Sequence, residues 1–314
     1  MSIFLNLVLL IALFAVLGMA ADLAVKNIRL VALSLRMRMF ALGIILGIMT
    51  TLPELSVGIN ATLEDAASLS VGNIMGGVVV LIGLILGSSL MLNRGLKTDD
   101  SLSSLVPASL VILSPFLLGV DGQFGLFDGI IMVALYIGLI FYLYRINRAP
   151  LDLGGGIAIV DKRRIVKEIF FAIVGIIIVM LASHFIIELT LMLLEKVAVS
   201  RLMVGLLLFS IGTNLPEITI TLTSWRRKTS DLSLSHLISS SFTNILVLGL
   251  LAIMSPITFT IGPVYYALAF FVCLIVTLFL VFSHSDKRLS RLEGMILLII
   301  YILFVATNIY LVSR

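Results

Sequence analysis

Charge is scarce in this 314-residue chain: Asp, Glu, Lys and Arg make up 12% of it, against 61% apolar residues. A soluble domain devotes about a quarter of its residues to charge, so an ordinary water-facing surface is excluded, and most soluble enzyme classes with it. Cysteine occurs once, which rules out a disulfide within the chain. Cys273 sits inside an apolar run and reads as a small buried hydrophobe. No His-Glu-x-x-His zinc motif is present, and no Asp is expected in mid-span, so two common designs of intramembrane enzyme lack their residues. The net charge of +4 comes from basic residues in the short gaps between apolar runs. There they record membrane topology, and no nucleic-acid partner is read from them.

What the chain has instead is apolar length, with a mean hydropathy of +1.23. Ten runs stand out, at 3–20, 38–62, 70–92, 104–120, 125–144, 168–190, 200–224, 233–254, 261–283 and 293–312. A helix needs about 20 apolar residues to span a bilayer, and lipid offers backbone groups no partner, so each run is expected to be a transmembrane helix. The expected fold class is an all-α polytopic membrane protein of ten helices. The first run lacks a basic leader and a small-residue cleavage site, so it is expected to be retained.

Lys and Arg stay preferentially on the cytoplasmic side. With the N-terminus outside, the inner gaps hold 18 of the 21 basic residues, leaving Lys196, Arg201 and Arg314 for the outer side. Both termini are therefore expected outside, in a multi-pass protein of the plasma membrane. The longest gap, between Arg145 and Lys167, carries Gly154-Gly155-Gly156 and reads as a cytoplasmic linker. It divides the chain into 1–145, a linker at 146–167, and 168–314.

The two parts repeat. A shift of 163 residues lays Ile48-Met49-Thr50-Thr51-Leu52-Pro53-Glu54 on Ile211-Gly212-Thr213-Asn214-Leu215-Pro216-Glu217, then Leu69-Ser70 on Leu232-Ser233 and Ile82 on Ile245, without a gap. Five helices per half is an odd number, so the second copy enters from the opposite side. Inverted repeats characterise secondary transporters, whose substrate sites lie near the midplane where the repeats meet. One chain then supplies both halves of the machine, and a functional monomer is expected. A channel would instead need a pore ringed by several copies.

The repeated segment carries the chemistry. A proline inside an apolar helix removes one backbone hydrogen bond, so Pro53 and Pro216 should break their helices and release carbonyls near Gly47 to Thr50 and Ser210 to Thr213. Glu54 follows Thr50 by four residues and Glu217 follows Thr213 likewise, which puts carboxylate and hydroxyl on one helix face at each break. Carboxylate, hydroxyl and carbonyl oxygens are hard ligands suited to Ca²⁺ or Na⁺. An acidic residue in mid-membrane costs at least about 2.5 kcal/mol on insertion scales; the bland reading is that each Glu bonds a neighbouring helix or carries a permanent proton. No Ser–His pair falls at this polar centre.

Two copies of a Gly-Thr-Ser-Leu-Pro-Glu-like motif in five-helix halves resemble the cation/calcium exchanger superfamily, and most of all its prokaryotic sodium/calcium exchangers. The resemblance implies that Glu54 and Glu217 face each other as principal ligands shared by Ca²⁺ and Na⁺, that Thr50 and Thr213 match the motif's Thr, and that Thr51 and Asn214 stand at its Ser. The following helix of the family carries Gly-Asn-x-x-Gly-Ser and a later polar residue. Here the first copy reads Gly72-Asn73-Ile74-Met75-Gly76-Gly77 and then Leu81, leaving Asn73; the second reads Ser235-His236-Leu237-Ile238-Ser239-Ser240 and then Asn244. The implied ligand set is Glu54, Glu217, Thr50, Thr51, Thr213, Asn214, Ser240, Asn244 and Asn73, with the backbone at Gly47 and Ser210. Gly77, Leu81 and Asn244 depart from the pattern and remove side-site oxygens, which bears on the coupling ion more than on Ca²⁺. The implied function is Ca²⁺/Na⁺ antiport by alternating access, the alternative being Ca²⁺/H⁺ antiport on the same glutamates. Inorganic cations and membrane lipid are the expected partners, with no cofactor.

Weaker features remain. His236 reads as a hydrogen-bonded filler or a proton-linked element, His184 and Glu188 as an interfacial polar pair, and Glu64 and Asp65 as solvated loop residues or a cation lure. Gly43, Gly47, Gly76 and Gly77 would let helices approach closely.

Overall fold

The computed structural model describes residues 3–34, 45, 47–93, 96–97, 102–146, 162–196, 199–226, 231–285 and 288–312. In chain order its helices are α1 (Ile3–Ser34), α2 (Leu52–Leu63), α3 (Ser68–Val79), α4 (Gly87–Asn93), α5 (Leu102–Leu118), α6 (Leu126–Ile146), α7 (Lys162–Leu194), α8 (Arg201–Val204), α9 (Ser210–Thr213), α10 (Leu215–Arg226), α11 (Asp231–Met254), α12 (Pro263–Ser285) and α13 (Arg291–Val312). Stretches of π-helix, Val80–Leu86 and Gly205–Phe209, join α3 to α4 and α8 to α9.

Among the described residues, seven helices are long and apolar enough to cross a membrane, and Ser103–Leu118 and Arg201–Thr213 are apolar but shorter. The difference from ten has local causes. Run 38–62 begins outside the described residues, where Gly43 also lies, together with positions 147–161 of the linker. Run 200–224 is broken at Asn214, and α5 carries Pro107 and Pro115 in its interior.

Two expectations are corrected. The first helix does not end at residue 20: α1 continues to Ser34, and the span Phe4–Ala32 contains Asp22. Polar side chains lower local hydropathy without interrupting backbone hydrogen bonds, and Asn27 turns its amide back onto the Leu23 carbonyl at 2.7 Å. Cys273 is exposed, not buried, on a face of α12 that an apolar side chain can turn to lipid.

α1 and α7 are the two longest helices, of 32 and 33 residues. They touch where Gly175 lacks a side chain: a Cβ there would stand 2.7 Å from the Ala20 carbonyl oxygen and 2.8 Å from the Ala24 nitrogen. Leu10, Phe14 and Leu17 of α1, Val179, Ala182 and Ile186 of α7, and Val57, Ala61 and Phe209 form one apolar cluster. The remaining helices pack around a separate, larger cluster that includes Leu81, Met132, Leu248, Leu268 and Phe304.

Two short antiparallel ribbons tie distant loops together. Strand β1 (Leu96–Lys97) pairs with β4 (Arg288–Leu289), and β2 (Gln123–Phe124) with β3 (Ile257–Thr258). Gly122, at φ +82°, turns the chain into β2. Side-chain and backbone N–H groups of Gln123 bond the adjacent Asp121 carboxylate and hold it below the usual carboxylate range.

Candidate cation site

The two copies of the motif break their helices alike. Thr51 stands before α2 at φ −92°, ψ 12°, and Asn214 before α10 at φ −86°, ψ 13°. Neither proline can donate a backbone N–H, so the ladder resumes one step on, with Leu55 N donating to Thr51 O at 3.0 Å and Ile218 N to Asn214 O at 3.1 Å. Glu54 and Glu217 therefore sit in the first turns of α2 and α10, where the helix dipole favours negative charge.

The carbonyls above each break are not bare. Thr50 Oγ1 donates to Gly47 O at 3.0 Å, Thr51 Oγ1 to Ile48 O at 3.0 Å, Thr213 Oγ1 to Phe209 O at 3.1 Å, and Asn214 Nδ2 to Ser210 O at 2.8 Å. The Ser210 hydroxyl turns away, to Leu206 O. The motif's hydroxyl and amide donors thus face along their helices, which turns oxygen lone pairs outward.

The halves meet through Asn73 on α3, whose Oδ1 lies 3.0 Å from Thr213 Oγ1; with one proton to donate, that hydroxyl has Phe209 O, Asn73 Oδ1 and the Glu54 carboxylate as alternative acceptors. From α11, Ser240 Oγ donates to Glu217 Oε1 at 3.5 Å, a long bond. Glu54 lies within electrostatic reach of Glu217. A Cβ at Gly77 would stand 3.2 Å from Asn244 Nδ2 and 3.3 Å from Asn214 Nδ2, so two amides converge on this glycine. Leu81 lies instead in the larger apolar cluster. All ten polar side chains named for the site are at most 2% exposed.

That burial leaves groups unsatisfied. Glu54 Oε2, Glu217 Oε2, Asn73 Nδ2 and both amide atoms of Asn244 have no hydrogen-bond partner among the described residues. Burying an ion without a partner costs several kcal/mol, and a carboxylate pair with no basic side chain bonded to it among the described residues calls for a cation or for protons. Oxygen ligands from both halves and a charge of up to −2 suit a divalent ion. No further Asp, Glu, His or Cys joins the pair as a metal-binding group among the described residues.

Asp22 was not foreseen. Gly18 packs against Leu215 and Pro216, and Asp22, one turn further along α1, acts electrostatically on Glu217. Its signal in the sequence was a lone acid in a run otherwise uncharged from residue 3 to 25. Ser239 and Thr243 also reach the site, flanking Gly47 at distances that a Cβ there would set to 3.2 and 3.5 Å. His236 Nε2 is buried without a partner, so the bonded-filler reading finds no bond among the described residues. His184 and Glu188 are exposed, as are Glu64 and Asp65, and Asp65 offers its carbonyl to Arg201.

A model of the family described as "Sodium/calcium exchanger protein" matches residues 5–145 and 167–310. The chain is 23% identical to the sodium/calcium exchanger MaX1 of Methanosarcina acetivorans, covering 93% of this chain and 95% of that protein. It is 26% identical to the inner membrane protein YrbG of Escherichia coli over 74% of each. Among solved structures, the sodium-calcium exchanger NCX_Mj in Na⁺ and Sr²⁺ aligns with a TM-score of 0.67 at 22% identity, covering 97% of this chain and 99% of that one. An H⁺/Ca²⁺ exchanger CAX aligns with a TM-score of 0.79 at 15% identity, covering 98% and 84%. One fold thus serves a sodium-linked and a proton-linked exchanger.

Proposed function

The chain belongs to the sodium/calcium exchanger protein family, an integral membrane family of transporters rather than enzymes, and from that premise we propose that it exchanges Ca²⁺ for Na⁺ by alternating access. Glu54 and Glu217 are the shared ligands, assisted by oxygens of Thr50, Thr51, Thr213, Asn214, Asn73, Ser240 and Asn244 and by the carbonyls of Gly47 and Ser210. The observation that carries the reading is the pair of buried carboxylates at matched helix breaks, each with an oxygen that has no hydrogen-bond partner among the described residues. Ca²⁺ and the counter-ion cannot both neutralise the same pair, and this competition is the coupling.

The architecture behind it is ten crossings in two inverted halves, 1–145 and 168–314, with 146–167 as a cytoplasmic linker, both termini outside, and a monomer as the working unit. Three observations support this. The family model matches in two stretches that nearly coincide with the halves. The backbone angles at Thr51 and Asn214 agree within 6°. The ribbons β1–β4 and β2–β3 exchange under the repeat, and each joins loops that ten alternating crossings put on one side. After replacement of the exposed Cys273, a cysteine at position 155 is expected to resist an impermeant maleimide added to intact cells and to react in inverted vesicles; labelling of intact cells would reverse the topology.

Proton coupling is the second reading, favoured by one feature. Gly77 and Leu81 contribute no side-chain oxygen, and Asn244 is an amide, so fewer Na⁺ can be held beside the two carboxylates. A glutamate that takes a proton would reset such a site. Ca²⁺-loaded proteoliposomes separate the two. Efflux is expected into Na⁺ medium and not into K⁺ medium, with a shallow dependence on Na⁺. Efflux driven by a pH gradient without Na⁺, and indifferent to Na⁺, would assign proton exchange.

A further inference from the structure

α1 and α7 part company toward one end and leave a groove of about 350 Å³ lined by Leu23, Lys26, Asn27, Leu30, Lys167, Glu168 and Phe171. The helices run antiparallel there, since Gly175 meets Ala20 and Ala24 while Lys167 shares the groove with Lys26. Lys26 and Lys167 are exposed; Asn27 and Glu168 are buried beneath them, at 8% and 5% exposure. Asn27 has turned its amide to Leu23 O, and Glu168 is engaged in an interaction of its own. The two ammonium groups are the exposed charges of the groove, and Glu168 adds a buried carboxylate beneath them.

Depth identifies what they meet. Gly18 is the central residue of the span Phe4–Ala32 and packs on Pro216 at the helix break. At about 1.5 Å per residue, Lys26 lies roughly 12 Å from that level. Gly175 lies opposite Ala20 and Ala24, so Lys167 lies roughly 18 Å from the same level by the same rise. Half a hydrocarbon core is about 15 Å, which sets the groove at the boundary between acyl chains and headgroups. Leu23 and Phe171 supply apolar walls toward the chains. Arg29 on the next turn of α1 is exposed as well.

We propose that this groove binds the phosphate of an anionic phospholipid between Lys26 and Lys167, with its acyl chains along Leu23 and Phe171. Paired ammonium groups fit a phosphate, and basic pockets between membrane helices recognise anionic headgroups. The bound lipid bridges α1 and α7 and strengthens their pairing. Its assignment to the inner leaflet rests on the topology proposed above; the binding itself does not.

The test is native mass spectrometry of the whole chain in detergent micelles, titrated with phosphatidylglycerol or phosphatidylcholine. Phosphatidylglycerol is expected to bind at least about fivefold more tightly. Lys26→Gln with Lys167→Gln should weaken it about thirtyfold and leave phosphatidylcholine unchanged, given the usual contribution of each basic residue near an anionic surface. Lys26→Arg with Lys167→Arg should retain binding, as should Lys196→Gln in a distant exposed loop. Unchanged affinity in the double Gln variant would overturn the proposal, and so would displacement of the lipid by inorganic phosphate, which would mark a free-anion site. Micelles have no sides and carry no ion gradient, so failure here leaves the exchange reading intact, and failure of exchange leaves this result intact.

Discussion

Either Glu54→Gln or Glu217→Gln should abolish Ca²⁺ exchange while the protein remains folded and monodisperse. Glutamine keeps the size and one oxygen of glutamate, so what changes is charge. Each carboxylate is buried at 1% exposure, with an Oε2 that has no hydrogen-bond partner among the described residues, and in that setting coulombic terms greatly exceed their value in water. Substitution in the shell around a metal ligand commonly costs 10- to 100-fold in affinity; loss of a charged ligand should exceed that, and Ca²⁺ affinity is expected to fall at least about a hundredfold. Flux in proteoliposomes at matched protein content measures it, and undiminished Ca²⁺ transport by either variant would remove that glutamate from the site.

The second large effect should come from Gly72→Ala. A Cβ at Gly72 would run into the backbone carbonyl of Leu202 and stand 2.8 Å from the Leu206 nitrogen, while one at Gly205 would meet the Leu69 carbonyl and stand 2.9 Å from the Asn73 nitrogen. The two glycines press α3 backbone to backbone against α8 and the π-helical turn behind it. Neither neighbour is a flexible side-chain end, so the helices must separate. Overpacking of this kind costs about 1–3 kcal/mol, occasionally more, and it displaces Asn73, which holds Thr213 at 3.0 Å. Gly72→Ala should therefore lower both the thermal midpoint in detergent and the Ca²⁺ affinity, with Gly205→Ala behaving likewise. Gly138→Ala is the control, because a Cβ there meets nothing within 4 Å. A Gly72→Ala protein with the midpoint and affinity of the parent would show that the contact carries no function.

The apolar runs and the repeated Thr50 to Glu54 and Thr213 to Glu217 segments were legible because they are local: proline and glutamate in an otherwise apolar helix announce a break and a charge wherever they fall. The matched angles at Thr51 and Asn214 follow from that chemistry. The reach of α1 past Asp22 was not legible, because a hydropathy window reads Asp22, Lys26 and Asn27 as an end whereas the backbone ladder ignores them. Nor did the motif reveal that Thr50, Thr51 and Asn214 would cover carbonyls of their own helices, since a side chain chooses between its own turn and a ligand by geometry. The ribbons and the Gly72–Gly205 contact join residues far apart in the chain. No periodicity in one segment encodes such a partner.

The central claim is that one divalent ion is held jointly by two carboxylates from opposite halves. It is tested most directly by equilibrium Ca²⁺ titration of the purified protein, its two single Gln variants and the double variant. The account predicts one Ca²⁺ per chain in the parent, near-complete loss of affinity in either single variant, and little further loss in the double, as expected for ligands that act as a unit. Two independent Ca²⁺ sites, each lost with its own glutamate and with additive effects in the double variant, would contradict it.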